Sequence, residues 1–116
     1  QVQDILPNVA VWLWGHEHNQ VIYGRWGGVL ARCIGHGAFP IGATELGPEP
    51  KYKDVPIVAG TALQADGDNV FMRHGYAIIE LSGKDATISY YDDQDEDTPV
   101  YQEKVQGQQA AGGPHV

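Results

Sequence analysis

Val9–Trp14 (VAVWLW) is the longest strongly apolar stretch of the chain, and it stops at a glycine. It is short, continuous and rich in β-branched and aromatic residues, the pattern of a strand buried on both faces. It falls well below the ~20 apolar residues of a membrane helix, so no membrane span is expected. The residues after it are as constraining as the strand: Gly15-His16-Glu17-His18. Gly15 permits a sharp turn and a close approach of backbone to a ligand. In an extended segment residues i and i+2 point to the same side, so His16 and His18 are expected to face one site with Glu17 turned away. Neutral imidazole is a good ligand for zinc, iron or manganese. The carboxyl end of a central strand is also where open α/β sheets place their sites.

Around this feature the chain reads as mostly β, with about six strands and little helix. Residues 1–7 read as the last turn of a helix, with Ile5 and Leu6 on one flank and Pro7 as the stop. QVIYG (20–24) and GVLARCIG (28–35) read as strands separated by a turn at Arg25-Trp26-Gly27-Gly28. From Gly35 to Asn69 the composition changes to four prolines and six glycines. This predicts a long ordered excursion with at most one short strand at Pro56–Ala59, of the kind that borders a functional surface. Asp66-Gly67-Asp68-Asn69 is a turn signal. Phe71–Leu81 and Ala86–Tyr91 predict a hairpin through Ser82-Gly83-Lys84-Asp85, and Pro99–Val105 an edge strand. Residues 92–97 carry five carboxylates in six positions; without calcium-loop spacing, they predict a solvated turn. Residues 106–116, polar and glycine-rich, are expected to form a flexible tail.

A length of 116 residues allows one domain. Seven basic against 15 acidic side chains give a net charge of −8. That field repels a phosphate backbone, so no nucleic-acid-binding surface is expected. Trp12, Trp14 and Trp26 are accordingly assigned to packing rather than base stacking. Cys33 is the single cysteine; in mid-strand it reads as a small buried hydrophobe, and the lack of a disulfide framework suits a reducing, cytoplasmic setting. His36, in Gly35-His36-Gly37 just past a strand, is a candidate substrate-edge residue. His74 is expected to be structural or solvent-facing, and His115 falls in the tail.

VAVWLWGHEHNQVIYG resembles the last signature of the calcineurin-like metallophosphoesterases, a hydrophobic strand ending in Gly-His-x-His. GVLARCIGHGAFP resembles the family's following strand and glycine-rich loop, and HGYAIIEL, ATISYYD and PVYQEKV resemble its late strands. The resemblance covers the chain from about Ile5 to Val105. It implies a four-layer αββα sandwich and a hydrolase of phosphomonoesters or phosphodiesters. Two divalent ions (manganese, iron or zinc), about 3.5–4 Å apart, would activate water for in-line attack and polarise the phosphoryl oxygens. By position, His16 would ligate one ion and His18 the other. The family's Asp-x-His, Gly-Asp-x-x-Asp and Gly-Asn-His motifs supply the bridging carboxylate, the remaining ligands and a catalytic histidine. None of them is in this sequence, which begins with Gln1 and shows no signal segment.

Residues 1–105 are therefore expected to be the carboxyl-terminal half of such a domain, with metal ligands but no catalytic residue of its own. Its expected partners are a phosphoester substrate and the missing amino-terminal half. Left uncovered, its strands would pair with a second copy. Two other readings compete. One is a non-catalytic β-rich interaction domain. The other is a cupin-like metal-binding barrel, which also uses His-x-His on a strand but wants a glutamate shortly beyond, where Ile22 and Tyr23 stand.

Overall fold

The computed structural model describes residues 2–45, 56–58 and 60–107. A short helix, α1 (Val2–Ile5), runs into a 3-10 turn at Leu6–Asn8. Pro7 suits that turn because its φ is preset and it has no N–H to satisfy, and Leu6 is buried beneath it. Six strands follow: β1 (Val11–Trp14), β2 (Gln20–Trp26), β3 (Val29–Ile34), β4 (Gly75–Ser82), β5 (Asp85–Asp92) and β6 (Tyr101–Val105). They form two three-stranded sheets, ordered β1-β3-β2 and β4-β5-β6. The described chain is mostly β, as its apolar pattern predicts.

The first sheet is mixed. β2 and β3 form an antiparallel hairpin. It closes through Gly27 and Gly28, whose φ values of +56° and +81° are strained for any residue with a Cβ. β1 instead pairs parallel to β3, from Val11 opposite Leu30 to Trp14 opposite Cys33. The carboxyl ends of β1 and β3 therefore emerge at the same edge of the sheet. The outer edge of β2 is covered by a stretch of the proline-rich excursion. Val58 N donates to Ile22 O at 2.8 Å, and Ile57 bridges Tyr23. The short strand expected at 56–59 is this contact, with Ala59 outside the described residues.

The second sheet is an antiparallel meander, and the main core lies between the two sheets. Ile22, Ile88, Tyr90 and Val105 are buried there, flanked by Val11, Leu30, Ile34 and Ala77. Period-two alternation explains the choice: Leu30, Arg32 and Ile34 share the inward face of β3, while Ala31 and Cys33 join Val21, Tyr23 and Trp14 in a second cluster on the other face. Arg32 is thus driven into the core, and every described contact compensates it. Its Nε and Nη2 donate to the two oxygens of Glu103 on β6, both at 2.8 Å, and Nη1 donates to Tyr23 O at 2.6 Å. Tyr90 Oη donates to the same carboxylate at 2.6 Å. A bidentate, charge-assisted pair of this kind ties β3 to β6 across the core.

Three sequence expectations need correction. β1 is not buried on both faces: Trp12 is 39% exposed, and among the described residues β1 has a neighbour on one side only. Double burial needs cover on each face and each edge, and the described chain supplies only part of it. The strand expected to begin at Phe71 begins at Gly75, because Phe71 and Met72 bridge Gly42 and Ala65 instead. The acidic run is a solvated turn only from Asp93 onward. Asp92 is buried and accepts from Arg73 Nη1 at 2.9 Å, while Asp95 caps the N–H groups of Asp97 and Thr98.

β4 is the other strand with one described neighbour. It exposes Ile78, Ile79 and Leu81, the last at 79%. Most of the expected tail, with His115, and the side chain of Trp26 lie outside the described residues. Among the described residues no helix is long and apolar enough to cross a membrane.

Candidate metal-binding loop

The parallel pairing of β1 with β3 brings two Gly-His steps together. Gly15-His16 follows the last residue of β1, and Gly35-His36 follows the last residue of β3. A Cβ on Gly35 would collide with the carbonyl oxygens of Gly15 and Glu17, so only glycine lets the two backbones approach this closely. Gly35 N donates to Asn19 O at 2.9 Å, and the Cys33 thiol lies 3.6 Å from Glu17 O and 3.4 Å from Asn19 O. The loop 15–19 is therefore held by its carbonyls to the end of β3, which leaves the His16 and His18 side chains to the surface.

His16 and His18 are both exposed on that loop, and neither ring has a hydrogen-bond or ion-pair partner among the described residues. The backbone carrying them is bent, with Asn19 N donating to Glu17 O at 2.8 Å. The same-side argument for i and i+2 thus loses its extended-strand premise, since an i→i+2 bond curls the chain. Glu17 is half-buried, and its charge acts on the Cys33 thiol beneath the loop. Among the described residues His18 makes one ring contact: it stacks on Phe39, with centroids 5.8 Å apart and planes 23° from parallel.

Cys33 is fully buried, and its thiol is pushed up, first by burial and then by the charge of Glu17, against the pull of nearby backbone donors. A thiol so placed is held in its neutral, unreactive form.

His36 is buried, at 2% exposure, beneath the first residue of β4. Its carbonyl accepts from Gly75 N at 3.2 Å, and its ring lies so near Gly75 that a Cβ there would collide with it. Both ring nitrogens lack a hydrogen-bond partner among the described residues. The imidazole is held below its ordinary pKa, first by burial and second by the charge of His74, which outweigh the opposite pull of Asp92 and Asp93. It is a neutral, interior ring rather than one presented at an edge. His74 lies half-exposed one residue before β4, with Nδ1 3.8 Å from the Asp93 carboxylate.

Two exposed imidazoles with free nitrogens at the carboxyl end of β1 fit the share of a metal site expected of this segment, namely one neutral donor for each ion. They do not complete a centre. No group of three or more His, Cys, Asp or Glu is assembled for a metal among the described residues. The buried carboxylates of Asp92 and Glu103 are already committed to Arg73 and Arg32.

Local sequence does not mark Gly35 or Phe39 as neighbours of the His16–His18 loop. The signal was present as the second strand-Gly-His step, but its weight depends on β1 and β3 being parallel neighbours. The chain matches no family model, and no curated protein or solved structure is significantly similar to it.

Proposed function

We propose that this chain is the carboxyl-terminal portion of a binuclear metal-dependent phosphoesterase of the calcineurin-like kind, within a four-layer αββα domain. The observation that carries the reading is the loop at the ends of the parallel strands β1 and β3. There Gly35 admits the backbone of Gly15-His16-Glu17-His18, and both imidazoles stay exposed without a partner. Sites at the carboxyl ends of parallel strands are the rule in α/β sheets. A parallel pair also belongs to sheets covered on both faces, which agrees with outer helical layers. The sides of β1 and β4 that have no neighbour among the described residues are where the other half of the domain would join. The same parallel pair weighs against a cupin-like barrel, whose strands run antiparallel.

In this reading His16 and His18 each supply one neutral nitrogen to a different divalent ion, and the loop's attachment to β3 fixes the backbone that carries them. The ions, when bound, would supply an activated water and a charge clamp for in-line displacement at phosphorus. A pair of divalent ions needs carboxylates to balance its charge, and this sequence offers none at the loop beyond Glu17. The carboxylate and catalytic motifs are assigned to the remainder of the domain. The substrate is a phosphomonoester or phosphodiester.

The test is hydrolysis of a chromogenic phosphomonoester and phosphodiester with added manganese, by the chain alone and by a longer protein that contains it. The longer protein is expected to turn over substrate and to lose activity on His16→Ala or His18→Ala, and the chain alone to be inactive. An inactive longer protein would remove the phosphoesterase reading. Metal-dependent turnover by the chain alone, abolished by His16→Ala, would show that this chain itself supplies the remaining ligands and would overturn their assignment to the rest of the domain.

A further inference from the structure

We propose that Phe39 is a positioning residue for His18, holding the imidazole in its ligating orientation from a pinned arch of the chain. The inference rests on the metal-ligand reading of His18.

The segment from His36 to Ile41 is fixed at both ends. At one end the His36 ring is buried and its carbonyl accepts from Gly75 N at 3.2 Å; at the other, Ile41 O accepts from Met72 N at 2.9 Å. The pin continues past Ile41, where Ala43 N donates to Val70 O at 2.9 Å and Gly42 bridges Phe71. Between these anchors Phe39 is 70% exposed, and its described ring contact is the stack on His18 at 5.8 Å. A lone exposed phenylalanine is unremarkable by itself. One held over a candidate ligand by an arch hydrogen-bonded on both sides is a specific arrangement.

Metal-ligating histidines usually donate their second ring N–H to a carboxylate or carbonyl, which fixes orientation and raises affinity. Among the described residues neither His16 nor His18 has such a partner. The aromatic stack restrains the His18 ring in that partner's stead, by limiting its rotamers before metal arrives. His16 has no comparable ring contact among the described residues, so the two ligands differ in how far they are preorganised.

The experiment uses NMR on the longer protein that contains the chain, in wild type, Phe39→Ala and Phe39→Tyr. Without metal, the His18 ring protons should be shifted upfield by the Phe39 ring current, and Phe39→Ala should abolish the shift. On titration with Mn²⁺, paramagnetic broadening should reach both His16 and His18. Phe39→Ala should raise the Mn²⁺ concentration needed for His18 about two- to tenfold, the range that a ring-pair interaction is worth. His16 should change less, and Phe39→Tyr should restore both readouts. A ring-current shift that survives Phe39→Ala would overturn the stack. A shift that is lost while the Mn²⁺ midpoint stays unchanged would overturn the positioning role. Failure of Mn²⁺ to broaden either histidine in the wild-type longer protein would overturn the ligand reading, and the positioning role with it.

Discussion

Arg32 and the His16–His18 pair belong to the same three-stranded sheet, yet they sit in opposite circumstances. Arg32 is buried between the sheets, with donors committed to Glu103, Tyr23 O and Ala31 O. The two histidines stand exposed at the end of β1 with no hydrogen-bond partner among the described residues. A buried charge is tolerated only when its bonds are made, so a complete network marks a structural role. Polar groups left open at the carboxyl end of a strand contribute nothing to the fold, and that leaves them available for a ligand. The difference separates two kinds of polar residue that look alike in a list of charged and titratable side chains.

The strongest way to break the comparison is to remove Glu103. Glu103→Ala leaves Arg32 buried without its partner and should cost about 3–5 kcal/mol of stability, read by chemical denaturation. A cost below 1 kcal/mol would show that the pair is not the tie between the sheets. The same carboxylate gives a pH signature. Burial would raise its pKa, but the bonds from Arg32 and Tyr90 and the charge of Arg32 outweigh it and hold the group below its ordinary value. A lowered folded pKa means that the stabilisation is present above the ordinary carboxylate range and is lost as pH falls through it. Glu103→Gln should flatten that acid limb.

Gly35 joins the two regions, since it ends the strand that carries Arg32 and cradles the histidine loop. Gly35→Ala must push the loop off β3. It should cost about 1–3 kcal/mol, as overpacking does, and weaken Mn²⁺ binding at His16 and His18 together. Unchanged binding in a folded Gly35→Ala variant would show that the close approach does not shape the site.

His36 offers a gentler test, being a titratable ring inside the fold. Its pKa lies below the ordinary value of about 6.5, so its contribution to stability is full above that pH and declines as pH falls below it. The urea midpoint of wild type should therefore drop between about pH 6.5 and pH 5, and His36→Met should reduce the drop. Equal slopes in the two proteins would place the titration elsewhere.

The smallest expected effect belongs to the candidate ligands. His16→Ala and His18→Ala should change stability by no more than about 0.5 kcal/mol, as exposed substitutions do, while each weakens Mn²⁺ binding at the loop. A large destabilisation would recast them as structural residues and erase the contrast with Arg32.

Strand content, both tight glycine turns and the His-x-His step after β1 were legible along the chain, because alternation, β-branching and glycine φ preferences act over a few residues. The solvated turn from Asp93 was legible for the same reason. Asp92 was not: its burial depends on Arg73, which lies 19 positions away. Nor could spacing show that Arg32 meets Glu103 across 71 positions, or that Phe39 returns to His18. Above all, the parallel pairing of β1 with β3 is a long-range choice, and it alone turns two separate Gly-His steps into neighbours. Local pattern decides which residues extend and which turn. Which polar group ends up compensated and which stays open is decided only when distant strands pack, since burial and hydrogen bonding are properties of the assembled neighbours.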